Sequence, residues 1–489
     1  MTTSLSRSTI APANTSAVGN GPPRLLATAS AALPAALSAA IRRGDDIWLL
    51  SAAMAIVSFS LLQRQMGLDL IGVSKLAIRL AAATWLGGLW WLRCVRAWQQ
   101  TSLRCERLHG LRCNCRSRWL TGGCFTTPIM LPWLAFLAWS MITLLYSPLK
   151  IVSAGQWLGL AALILMAGEI AVRRLDPVTT IVRLYAVLVA YCVMVLVVHA
   201  IDPNASGINR DILNEGTTGF VHPTAAGATS SLAALLGVLI GLFGWTRRHV
   251  LLSASLAINL AVLYLSSSRA SLGMLAITLT LAVVFVTSWR LRGRLMLIAG
   301  VALVAAMLIA PGGRWLDDRL DGIESYLMRG QSTDQLQQAS GRAEMWTAVW
   351  DQYLDSPLVG HGYFVTSAKG ELDVWNRLSN HDAHHLILQV LVSTGIVGAA
   401  LFLWALWRPA VYLFRRLPSP FRNPPTDHPE QPLLAIFTLT AIWFAGWSQT
   451  CVTFLGPIRP ESVVFFTLLG LLSADQINRS PELPPHNNQ

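Results

Sequence analysis

Runs of about twenty apolar residues recur along the whole chain, each long enough to cross a hydrocarbon core about 30 Å thick as a helix. Twelve are legible, at residues 47–66, 70–92, 127–146, 151–172, 179–200, 224–245, 248–266, 271–288, 295–310, 385–407, 433–455 and 459–475. The expected fold class is therefore all-α, a polytopic membrane protein with about 12 transmembrane helices. Composition agrees: only 13% of the 489 residues are charged, against about 25% in a soluble globular protein. Most of the surface must face lipid. The 19 tryptophans suit the aromatic belts of a membrane protein.

Charge then reads as topology. The formal net charge of +12 would point to nucleic acid in a soluble chain. Here Lys and Arg crowd alternate connections, among them "RCVRAWQQTSLRCERLHGLRCNCRSR", "RRLD", "WRLRGR" and "RPAVYLFRRLPSPFR". The positive-inside rule places these in the cytoplasm together with both termini, and no nucleic-acid partner is expected. Cys94, Cys105, Cys113, Cys115 and Cys124 lie in or beside the first large cytoplasmic loop, and Cys192 and Cys451 lie in spans. None falls in an outer loop, so no disulfide framework is implied. The expected division is a cytoplasmic tail at 1–46, spans one to nine within 47–310, a long periplasmic loop at 311–384, spans ten to twelve within 385–475, and a second tail at 476–489.

The loop at 311–384 is polar and far longer than an ordinary connection, which marks it for function. Within it "SGRAEMWTAVWDQYLDSP" has helical pattern, with Ser340 as N-cap and Met345, Trp346, Val349, Tyr353 and Leu354 on one side. The loop then enters span ten through "NHDAHHLILQVLVSTGIVG". A helix from Asp382 onward would put His381 and His385 about one turn apart. Three readings of His381, His384 and His385 stay open: a polar cap on the span, a shared metal ion, or a general base, since imidazole titrates nearest neutrality. Arg269, in "LSSSRASLG", sits at the outer edge between spans seven and eight. It either snorkels to the headgroups or serves function, as membrane-edge charge usually does. Arg342 starts the loop helix, as a solvated residue or as an anion ligand. Two arginines and a histidine on one membrane face suit an anion, because guanidinium grips phosphate with two parallel bonds.

The ordered set "SSSRASLG", "SGRAEMW", "SPLVGHGY" and "HHLILQVLVSTGIVG", on this span layout, resembles the O-antigen ligase and Wzy polymerase superfamily. The resemblance runs from about Gly219 to Leu406. It implies a catalytic histidine at His384 and diphosphate-binding arginines at Arg269 and Arg342, with His381, His385, His222 and Tyr363 as supporting candidates. Two positions differ: the residue after the histidine is commonly Asn and here is His385, and "FVHPTAAG" has Thr224 where an "HPN" pattern has Asn. The resemblance also implies an inner-membrane glycosyltransferase working on the periplasmic face, with no metal and no cofactor. The donor would be a glycan on undecaprenyl diphosphate, and the acceptor a saccharide hydroxyl. An exopolysaccharide or O-antigen polymerase is expected, the alternative being a ligase that attaches the glycan to lipid A core. Other polysaccharide-assembly proteins are candidate partners. A lipid-linked glycan flippase is the rival of another class. It predicts ionisable groups near mid-bilayer, whereas Lys75, Arg79, Glu169 and Arg183 read as lying toward span ends.

Overall fold

The computed structural model describes residues 44–57, 70–107, 127–148, 150–208, 221–286, 342–364, 383–416, 431–452, 455 and 458–479. The expected span at 295–310, His381, the side chains of Arg342 and Cys105, the cysteines Cys113, Cys115 and Cys124 and most of both tails lie outside the described residues. By internal contacts the chain divides into two units, 1–46 and 47–489, and the second holds the helical bundle.

The described residues form helices and no strand. In chain order these are α1 (Asp45–Val57), α2 (Leu70–Arg107), α3 (Leu131–Leu144), α4 (Lys150–Arg173), α5 (Pro177–Ile201), α6 (Pro203–Ser206), α7 (Pro223–Leu242), α8 (His249–Ser266), α9 (Arg269–Phe285), α10 (Arg342–Asp355), α11 (Leu386–Arg416), α12 (Gln431–Trp447) and α13 (Pro460–Arg479). Five of them, α4, α5, α7, α8 and α11, are long and apolar enough to cross a membrane, while α3, α9 and α12 are apolar but shorter. Every expected span other than 295–310 is occupied at least in part by a helix.

Two groups of helices share the α12–α13 pair. On one side α4 packs against α2, α3 and α13, and α3 packs against α11. On the other, α7 packs against α5, α8 and α9, and α9 packs against α12. Between α3, α11 and α13 the core is aromatic: Trp133 meets Phe402 edge-on at 5.8 Å and Phe466 at 5.0 Å. Edge-to-face geometry is the arrangement ring quadrupoles favour. At the end of α4 that the sequence assigns to the cytoplasm, Arg93 grips the buried Glu169 with two bonds of 2.9 and 2.8 Å, and Arg173 adds a third at 3.0 Å. A carboxylate inside a bundle needs such partners. Outward faces are apolar: Leu80, Trp91, Val250, Leu260, Leu403 and Trp407 are all exposed, as lipid-facing positions require.

The backbone of α11 is broken inside its apolar run. Gly395 takes φ 66 and ψ −172, which opens the helical ladder and strands carbonyls before it and amides after it. The segment after α10 fills the break. His361 N–H donates to Val392 O at 2.8 Å and Gly362 N–H to Ser393 O at 3.0 Å. In return Ile396 N–H donates to Pro357 O at 2.8 Å. Trp139 of α3 supplies the remaining donor, its Nε1 reaching Thr394 O at 3.0 Å. The approach is close enough to require glycine on both sides. A Cβ on Gly360 would stand 2.6 Å from Gly395 N, and one on Gly395 would overlap the Leu358 carbonyl. Irregular backbone at membrane depth is tolerable where protein surrounds it in this way.

This junction predicts a large effect from a single methyl. Gly395→Ala combines a left-handed φ with a steric overlap, costs that together reach about 2–5 kcal/mol. The melting temperature of the purified protein should fall by several degrees. Gly273→Ala, at a helical glycine with open space around it, should change it little. Equal melting temperatures for the two variants would show that the α11 break does not depend on its close contact with 357–362.

Candidate active site

The corner between α8 and α9 is built by serines. Ser266 Oγ donates back to Leu263 O at 2.7 Å, Ser267 turns left-handed at φ 46, and Ser268 and Ser271 share a hydrogen bond at 2.8 Å. Hydroxyls that bond to local backbone compete with the helical ladder, so α8 stops here and α9 restarts with Arg269 as its first residue. The corner lies tight on α7: a Cβ at Gly227 would come within 2.7 Å of Ser266 Oγ. Five residues earlier His222 caps α7, its Nδ1 accepting from Thr224 N–H at 3.2 Å, with Pro223 at the first helical position. Both are favourable at a helix start.

Two stacked tryptophans of α12 hold this corner in place. Trp443 Nε1 donates to Ser231 Oγ at 2.9 Å, and Ser231 Oγ donates to Ser271 O at 2.8 Å. Trp447 Nε1 donates to Ser271 Oγ at 3.2 Å. The next residue, Ser448, accepts from Leu386 N–H at 3.1 Å, the first residue of α11. One turn of α12 therefore binds a site two residues from Arg269 and another two residues from His384.

The entry to α11 is fixed atom by atom. Ala383 N–H donates to Gln389 Oε1 at 2.9 Å, and Ala383 O accepts from Trp346 Nε1 of α10 at 3.1 Å. Between these anchors His384 takes a left-handed φ of 45, uncommon for a side chain with a Cβ and a conformation that only a well-determined surrounding maintains. The helix expected from Asp382 thus does not form. α11 starts at Leu386 because Ser448 and the Ala383 contacts hold the chain in a turn, so neither His384 nor His385 lies in a helix. His384 and Arg269 are both half-buried.

His385 is occupied in a different way. Its Nδ1 accepts from Leu388 N–H at 3.3 Å, the bond of an N-cap, and its ring meets Trp346 edge-on at 5.4 Å. This accounts for the departure from Asn at this position: Asn is among the strongest N-cap residues, and His385 performs the same task with imidazole. Burial lowers its pKa, opposed by a hydrogen bond with Gln449. Tyr363 is fully buried, its hydroxyl donating to Leu455 O at 2.6 Å. That bond ties the segment after α10 to the turn before α13. His361, not singled out in the sequence, joins its Nε2 to Gln352 O at 2.7 Å and clasps the end of α10.

α10 lies where the sequence places a helix, with Met345, Val349 and Tyr353 buried and Leu354 turned outward at 54% exposure. Arg342 is its first residue, one turn before Trp346. The structure thus brings the start of α10, His384 and the Arg269 corner onto one set of anchors. Trp346, Gln389, Trp443, Trp447 and Ser231 build those anchors. In sequence each of the five looks like an ordinary helix or span residue; only the two Trp one turn apart near a span end give any signal.

The capping role predicts a pH dependence. A folded-state pKa below the unfolded one means that the unfolded chain binds more protons below about pH 6.5. The contribution of His385 is complete above that pH and is lost as pH falls toward the lowered folded value. His385→Asn keeps a capping acceptor and removes the titration. Melting temperatures at pH 7.5 and 5.0 should therefore differ less for the Asn variant than for the wild type, and an identical drop in both would contradict the assignment.

No curated protein sequence matches the chain. A protein-family model described as O-antigen ligase matches residues 254–403. The match runs from α8 through the serine corner, α10 and the inserted segment into the second half of α11, and so contains Arg269, Arg342 and His384. Proteins of this family are membrane glycosyltransferase-like enzymes, and over these residues the chain is similar to the O-antigen ligase/Wzy superfamily.

Proposed function

We propose that the protein is an inner-membrane glycosyltransferase that moves a glycan from undecaprenyl diphosphate to a sugar hydroxyl on the periplasmic face. The observation that carries this reading is the left-handed His384, held half-buried between the Ala383 and Leu386 anchors and linked through Trp447 and Ser448 to the Arg269 corner. In this mechanism His384 takes the proton of the acceptor hydroxyl. The hydroxyl oxygen bonds to the anomeric carbon from the face opposite the diphosphate. The bond from that carbon to the diphosphate oxygen breaks, and the electron pair leaves with the lipid diphosphate, inverting the centre. Diphosphate is a good leaving group and needs no general acid. Arg269 and Arg342 bind it and stabilise the charge that grows on it, as preorganised donors do. With the guanidinium groups neutralising the diphosphate, no metal ion is required by the chemistry.

The twelve-span layout, with both termini cytoplasmic and the 311–384 loop periplasmic, supports this assignment through the distribution of Lys and Arg. A lipid-linked repeat as acceptor makes the enzyme a polysaccharide polymerase, the reading that "FVHPTAAG" favours. Lipid A core as acceptor makes it a ligase, the activity named by the matching family description.

His384→Ala should reduce transfer of a lipid-linked oligosaccharide by about 10²–10⁴-fold, with expression and donor binding retained. Arg269→Ala and Arg342→Ala should weaken donor binding as well, and Lys should restore only part, because an ammonium cannot form the two-pronged bond. The assay is transfer by purified protein in the presence of a chelator. Near-normal activity of His384→Ala, or loss of wild-type activity to the chelator, would rule out the histidine-base mechanism.

A further inference from the structure

Arg79 stands apart from the proposed active site. It lies nine residues into α2, about 14 Å along the helix from Leu70 at 1.5 Å per residue. By sequence it falls toward a span end, and the structure sets it partly buried against the first half of α4, beside Gly155 and Gly159. Its neighbours Ala77 and Leu80 face outward, Leu80 at 52% exposure, so the guanidinium sits at a seam between α2 and α4 that is open to the lipid side. The floor of that seam is glycine. A Cβ on Gly155 would stand 3.6 Å from Arg79 Nη1, and one on Gly159 would stand 3.7 Å from Arg79 Cδ. Ile458, in the turn before α13, closes over Gly159, and Tyr363 is near enough to couple electrostatically to the guanidinium.

The cation has no counter-ion in view among the described residues. Among the described residues the carboxylate of α4, Glu169, is already held by Arg93 and Arg173, and no ion pair or hydrogen bond reaches Arg79. An arginine within a membrane span is costly and needs a partner. Side chains on a helix lean toward its N-terminus, here the outer end of α2. The anions abundant at that level are lipid phosphates.

We propose that Arg79, floored by Gly155 and Gly159, binds the phosphate of an outer-leaflet lipid at the seam between α2 and α4, as a site separate from the Arg269 corner. The proposal rests on the periplasmic-face topology of the proposed function. It deepens that function by giving the lipid-borne substrate a station reached laterally from the bilayer. The chemistry is shared by a polyprenyl diphosphate and by an anionic phospholipid headgroup.

The test uses the full chain carrying Arg269→Gln, so that the candidate active site does not contribute. Farnesyl diphosphate and dioleoylphosphatidylglycerol are titrated separately and bound lipid is counted by native mass spectrometry. Adding Arg79→Gln should weaken binding of at least one of them about tenfold, the scale of a lost charge-assisted hydrogen bond, and Arg79→Lys should recover part. Gly155→Ala provides a second variant: its methyl would lie 3.5 Å from Leu76 Cδ1, an ordinary contact that keeps the fold, while crowding the space in front of Nη1. Loss confined to farnesyl diphosphate identifies the prenyl donor as occupant, and loss confined to phosphatidylglycerol identifies a headgroup. Unchanged binding of both lipids in Arg79→Gln and Gly155→Ala overturns the site. Transfer activity of His384→Ala, measured in parallel, separates the Arg79 site from the histidine mechanism. Lost transfer with unchanged lipid binding removes the Arg79 site alone, and intact transfer with lost binding removes the histidine mechanism alone.

Discussion

A strip of turns seated in a broken helix organises the part of this molecule that carries the candidate site. At Gly395 the ladder of α11 opens, and the carbonyls of Val392, Ser393 and Thr394 and the amide of Ile396 lose their helical partners. Each would cost about 1–3 kcal/mol if buried unmet. Residues 357–362 and Trp139 meet all four. Because the inserted strip follows α10 directly, the fit also sets where α10 lies. α10 in turn presents Trp346 to Ala383 and His385. The position of His384 is thus determined by hydrogen bonds made far along the chain from it.

The histidines illustrate how one residue type is divided among tasks. His222 and His385 each use Nδ1 as the acceptor that caps a helix, and His361 bonds a backbone oxygen at the end of α10. These three do work that Asn or Ser does elsewhere. His384 differs in backbone as well as in side chain: it sits at the crest of a left-handed turn, half-buried, between residues that are themselves pinned. In the proposed mechanism proton transfer requires a ring placed to meet a substrate, and the turn would supply that placement.

Much of this can be read in the sequence, and the part that cannot has a physical reason. Apolar runs reveal helices because hydrocarbon thickness fixes their length, and "SGRAEMWTAVWDQYLDSP" reveals α10 because its apolar residues recur at helical spacing. "SPLVGHGY" and "STGIVG" are visible only as marks in order. Their glycines are permissive residues whose need arises from each other, across a contact no local pattern encodes. The helix expected from Asp382 fails for a similar reason: local spacing allows it, and the carbonyl of Ser448 decides otherwise. Likewise Ser271, Trp443 and Trp447 look like span filler until α9 and α12 are set side by side.

The break in α11 also bears on how the chain is made. A span that leaves the insertion machinery must hide its backbone from lipid at once, yet this one has open hydrogen-bonding groups at its centre. The donors that close it belong to segments synthesised earlier, the strip before it and α3. The partners that close the α11 break are therefore already translated when Gly395 emerges, whereas the contacts from Ser448 and Leu455 come later in the chain. A chain shortened before residue 396 would lack the Ile396 amide that completes the junction.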